Sequence, residues 1–175
     1  MAYPYRQAWY SYGPRKGPTL ALMFHMAEGY GTVGYLDKYG TMPPRGVSVH
    51  AVCDRYGHIT QMLPWNVASG SLNPANRSTD KGYYGHTKLV SVLGKWWTDP
   101  NSVTVSMEIE GYAKKGPNAA QIAAAIKWGR EMRARYKTQM RGALGHADQT
   151  DTKGCPGKSA GMLAIFKGVG GHGRW

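Results

Sequence analysis

Acidic side chains are scarce in this chain. Asp and Glu number 10 against 22 Lys and Arg, which leaves a formal charge of +12 over 175 residues. Such a surface attracts polyanions: nucleic acid, anionic lipid or the anionic polymers of a cell wall. Cysteine is scarcer, with Cys53 and Cys155 alone, which excludes a disulfide framework and leaves room for one bridge at most. Both are expected as free thiols, Cys53 buried in a strand-like run and Cys155 in a polar loop. No apolar run approaches the length of a bilayer span. Residues 1–20 contain Tyr, Arg and Pro but no apolar stretch of the secretory kind, so synthesis and folding in a cytoplasm are expected. Internal repeats, a phosphate-binding loop, a dinucleotide fingerprint and a His-x-x-x-His pair are also missing.

What is present suits one folded domain. Hydrophobic residues make up 42% of the chain, enough for a core and too many for general disorder. Residues 1–18, rich in Tyr with Trp9, read as an N-terminal arm ordered by contact. Residues 19–169 read as the domain proper, and 170–175 as a tail. Thr19 to His25 is an apolar run of strand length that ends in a His. Residues 26–46 read as a long loop with room for a short helix. Val47 to Cys53 and His58 to Pro64 read as two strands of a hairpin around the turn Asp54 to Gly57. Residues 65–101 are turn-rich, and Lys88 to Trp97 fits helix or strand equally. Val103 to Gly111 alternates cleanly, with Val103, Val105, Met107 and Ile109 on one face and Thr104, Ser106, Glu108 and Glu110 on the other. Asn118 is placed to cap a helix whose apolar stripe is Ile122, Ala125, Ile126, Gly129, Met132 and Tyr136. Lys127, Arg130, Arg135 and Lys137 load its other face. Arg141 to Gly145 is a short strand, and Lys158 to Val169 a closing helix.

The stretch that organises the rest is Gly145 to Lys158, a Gly- and Pro-shaped turn holding His146, Lys153 and Cys155. Imidazole and thiolate are preferred zinc donors. With His25 at a strand end they make three, one short of the usual structural set and right for an open catalytic one. A zinc ion there would acidify a water and polarise a carbonyl. Glu108 is the leading proton acceptor, since burying a carboxylate in so apolar a strand needs a reason. Lys153 is placed beside the thiol as a cation for a developing oxyanion. Each residue also has a plainer reading. Glu108 can simply face solvent, and His50, in mid-strand, is either packed or a hydrogen-bond donor behind a metal ligand.

Four segments, taken in order, resemble the zinc-dependent N-acetylmuramoyl-L-alanine amidases of the type-2 amidase and peptidoglycan-recognition superfamily, and within it the short phage endolysins. They are Leu22 to His25, Ser48 to Val52 with the turn after it, Val105 to Gly111, and Gly145 to Asp148 with Lys153 to Gly157. The resemblance implies a single α/β domain with a central mixed β-sheet flanked by helices. It implies one zinc ion on His25, His146 and Cys155, with Lys153 as the cationic stabiliser and Glu108 in the place of the family's strand glutamate. It also implies hydrolysis of the amide between N-acetylmuramic acid and L-alanine. Two departures matter. Val49 stands where some members carry a catalytic Tyr, and residues 66–70 lack the His of a family segment that touches substrate. The expected partner is bacterial peptidoglycan, with anionic wall polymers drawn to the basic surface, no nucleic acid and a monomeric protein. A basic module that binds peptidoglycan or nucleic acid and holds a structural zinc, and a zinc peptidase cutting within the stem peptide, are the alternatives.

Overall fold

The computed structural model describes residues 2–8, 11, 13–37, 47–71, 100–136, 141–146 and 155–170. Among these residues five strands form one mixed sheet: β1 (Ala21–Met26), β2 (Ala51–Cys53), β3 (Ile59–Gln61), β4 (Thr104–Ile109) and β5 (Gly142–Gly145), in the order β3-β2-β4-β1-β5. β1 runs parallel to both β4 and β5, β2 runs parallel to β4, and β3 closes the sheet antiparallel to β2. β1 lies inside the sheet, between β4 and β5, and is buried at all six positions, which is why its sequence reads as an unbroken apolar run rather than an alternation.

Among the described residues three α-helices accompany the sheet: α1 (Thr32–Leu36), α2 (Ala119–Arg135) and α3 (Ala160–Gly168). Asn118 caps α2 as expected. Its side chain accepts from Gln121 N, and the Gln121 side chain accepts from Asn118 N. One face of the sheet, carrying Leu22, Phe24, Val105, Met107 and Ile109, packs on Ala125, Trp128 and Met132 of α2 and on Met162, Ile165 and Phe166 of α3. Phe24 meets Trp128 and Phe166 edge-on, both at 5.8 Å between ring centres.

The core stripe of α2 is rotated from the expected one. Ala125, Gly129 and Met132 are buried, but the deepest side chain is Trp128, and Ile122, Ile126 and Tyr136 are only partly buried. The two isoleucines sit towards α3, where a Cβ on Gly168 would lie 2.5 Å from Ile126 Cδ1. The helix therefore has two apolar seams, one to the sheet and one to α3.

The hairpin forms, but both of its strands are shorter than expected. Residues 47–49 leave the ladder where Ser48 turns to Gly70, accepting Gly70 N on its Oγ at 2.8 Å, while His50 N still donates to Ser106 O and Met62 N to His50 O. The turn is held by Asp54 Oδ1, which accepts from Tyr56 N and His58 N. The N-terminal arm lies along β3: Gln61 N donates to Pro4 O, Arg6 N to Gln61 O and Ala8 N to Met62 O. Among the described residues, no helix is long and apolar enough to cross a membrane. The expectations for Lys88 to Trp97 and for residues 171–175 fall outside the described residues.

Candidate metal centre

Three parallel strands deliver the site at their carboxyl ends, where ligands gather in open α/β sheets. His25 occupies the last part of β1, and His146 directly follows β5. Cys155 arrives on the turn before α3, whose N-cap is Ser159. Gly157 lets that turn settle. Its φ is +81°, and a Cβ there would stand 2.6 Å from Ala113 O, so only glycine fits the close approach.

His25 Nδ1 lies 3.9 Å from Cys155 Sγ, and the His25 and His146 rings are 4.9 Å apart at 75°. One donor atom from each of the three residues falls within 4.8 Å of the others. Met26 N donates to Cys155 Sγ at 3.1 Å, and Sγ also lies 3.6 Å from Met26 O. His25 is 3% exposed, and its Nε2 is buried with no hydrogen-bond partner. Burial, together with the neighbouring His146, holds its pKa well below the usual 6.5. A neutral imidazole is the form that ligates a metal. Two imidazoles, a thiol and a buried nitrogen in want of a partner fit a zinc ion.

Glu108 is the register partner of His25 across β4 and β1, so the two side chains leave the sheet on the same face. The residue is half-buried, and burial, with the charge of Glu28 adding to it, raises its carboxyl pKa to about 8. Glu110 has a structural task instead. Its Oε1 accepts from Thr32 N at the start of α1 at 2.8 Å. Lys153 lies outside the described residues.

His50 is fully buried, and its partners are Arg15, Val67 O and Ser106, with Trp65 stacked 6.3 Å away at 13°. None of these is a member of the His-His-Cys ring. Arg15, which the sequence did not single out, donates Nε to Trp65 O at 3.0 Å and Nη1 to Thr104 O at 2.6 Å, and meets His50 Nε2 through Nη2 at 2.8 Å. It ties the arm to the sheet without a carboxylate, and burial lowers its pKa to about 10.

A family model described as N-acetylmuramoyl-L-alanine amidase matches residues 15–158. A search of curated protein sequences returns no match. Among solved structures, a selenomethionine derivative of AmpD superposes with a TM-score of 0.65 at 19% identity, covering 95% of this chain and 93% of that one. The endolysin of Thermus scotoductus MAT2119 bacteriophage Ph2119 gives 0.56 at 16% identity, covering 89% and 88%. The ectodomain complex of peptidoglycan recognition proteins LCa and LCx with tracheal cytotoxin gives 0.60 at 14%, covering 100% and 98%. At these identities the likeness is one of fold. The family match spans most of the chain, and by it the protein belongs to the type-2 N-acetylmuramoyl-L-alanine amidases, enzymes of peptidoglycan cleavage.

Proposed function

We propose that this amidase is zinc-dependent, that it cuts the bond between N-acetylmuramic acid and L-alanine, and that it serves as a phage endolysin in host lysis. The observation that carries the reading is the ring of His25, His146 and Cys155 donors with Glu108 in register beside it. Zinc held by those three residues would supply a Lewis acid for the scissile carbonyl and lower the pKa of a bound water. Glu108 accepts the proton of the water that attacks the lactyl carbonyl carbon. As the carbon–nitrogen bond breaks, the same carboxyl delivers that proton to the leaving amine of L-alanine. A carboxyl with a pKa near 8 is basic enough for the first task and acidic enough for the second. Lys153 is assigned the oxyanion that develops on the carbonyl.

Residues 19–169 carry this activity in our reading, with residues 1–18 as the clasping arm. The exposed Lys127, Arg130 and Arg135 of α2 contribute to attraction for anionic wall polymers, which salt should weaken. The peptidoglycan recognition proteins favour one competing reading, a wall-binding module. Digestion of purified peptidoglycan separates the two. New L-Ala amino termini that vanish with a chelator and return with zinc are the expected result. A zinc-loaded protein that releases no termini is the binding module, and termini on another residue move the scissile bond into the peptide.

A further inference from the structure

Two large aromatic side chains stand in solvent at the rim of this site. Tyr30 is 58% exposed and Tyr112 is 42% exposed, and their rings meet edge-to-face at 5.9 Å and 86°. Tyr30 lies on the chain leaving β1 beyond His25, and Tyr112 on the chain leaving β4 beyond Glu108. The two segments are locked together. Gly29 N donates to Gly111 O at 3.1 Å, and Gly111 N donates to Gly29 O at 2.7 Å. Gly111 has φ +119°, open to glycine only. Glu28 sits at φ 55°, a left-handed conformation that is costly for a residue with a Cβ, and its Oε1 accepts from Ala113 N at 2.8 Å. The Gly29–Gly111 bridge lies just beyond the His25–Glu108 pairing of β1 with β4, which brings this rim up to the cleft. A rigid mount of this kind is more than two exposed rings need.

The turn after Tyr112 adds charge. Lys115 N and Gly116 N both donate to Tyr112 O at 2.9 Å, and Lys114 and Lys115 are exposed. Two amphipathic ring faces beside two ammonium groups fit a short anionic peptide, whose alkyl parts lie on the rings and whose carboxylates meet the lysines. We propose that Tyr30 and Tyr112, with Lys114 and Lys115, form the subsite for the acidic stem peptide of peptidoglycan. This rests on the amidase reading and names the side of the cleft that holds the peptide.

The test is direct binding, by calorimetry, of a synthetic stem peptide that begins L-Ala-γ-D-Glu. Tyr30→Ala and Tyr112→Ala should each weaken binding about tenfold, the scale of one lost aromatic contact. Lys114→Ala with Lys115→Ala should flatten its salt dependence. A glycan disaccharide without peptide should bind all variants and wild type alike. In the wild-type protein, the peptide should shift the ring resonances of Tyr30 and Tyr112 and leave those of Tyr56, which is 61% exposed on the hairpin turn. Unchanged peptide affinity in the Tyr variants, or disaccharide affinity lost in place of peptide affinity, overturns the proposal. Wild-type protein that binds peptide through these tyrosines yet cleaves no peptidoglycan defeats the amidase reading alone. Protein that cleaves while peptide binding ignores the tyrosines defeats this inference alone.

Discussion

Acid should unfold this protein through His50. The imidazole is fully buried, and burial, with the Arg15 guanidinium beside it, lowers its pKa from 6.5 to about 3. His50 Nε2 faces Val67 O at 2.9 Å as well as Arg15 Nη2 at 2.8 Å, and Nδ1 accepts from Ser106 N at 3.1 Å and lies 3.1 Å from Ser106 Oγ. The unfolded chain takes up this proton below about pH 6.5, while the folded chain resists until about pH 3. The folded pKa is the lower of the two. The stabilisation is therefore complete above pH 6.5 and is lost as pH falls towards 3. The limiting slope is about 1.4 kcal/mol per pH unit, and across the gap the loss is roughly 5 kcal/mol. That is on the order of the whole stability of a small domain. Urea unfolding of wild type and His50→Gln, from about pH 7 to pH 4, measures it. Glutamine offers this pocket an amide that can both donate and accept, but it does not titrate. Below about pH 6, wild type should lose about 1 kcal/mol per unit more than the variant. His25 is also buried and held neutral, but it is present in both proteins and cancels in the difference. Parallel slopes would refute the reasoning.

Three other outcomes follow from the site. Cys155→Ser should lower zinc affinity about a hundredfold or more, read by chelator competition, and melting should fall with it. Glu108→Gln should keep its zinc and lose about a hundredfold or more in kcat, and wild-type turnover would remove Glu108 from the chemistry. Gly157→Ala should cost at least about 2 kcal/mol in unfolding, because a left-handed turn is combined with the 2.6 Å approach to Ala113 O.

The parts of the fold set by chain-local physics could be read in advance. The apolar run before His25, the alternation around Glu108 and the Asn118 cap each announce an element through period or hydrogen-bond chemistry. The clustering of His25, His146 and Cys155 could be anticipated because His and Cys in a Gly-Pro turn are chemically unusual together. What escaped depends on contacts distant in sequence. Trp128 became the deepest side chain of α2 because Phe24 and the sheet lie opposite, while the isoleucine stripe turned towards α3. The strand before Ala51 was cut short by Gly70, a partner that periodicity cannot see. Arg15 looked like one more basic residue in a polar arm, and nothing local marks it as the cation that adds to burial in keeping His50 neutral. Glu108 and Glu110 share one face of an alternating pattern, yet one lines the cleft and the other ends as an acceptor for the first turn of α1.

The hydrogen bonds of the arm to β3 also bear on how the protein behaves in a crowded solution. β3 is the last strand on its side of the sheet. A bare outer strand offers its amides and carbonyls to any other chain, which is how sheets stack edge to edge into aggregates. Here Pro4, Arg6 and Ala8 already occupy Gln61 and Met62. Trimming residues 2–8, or displacing them with a bulky fusion, would leave the His25, His146 and Cys155 cluster in place while unmasking an adhesive border, so that solubility fails before activity does.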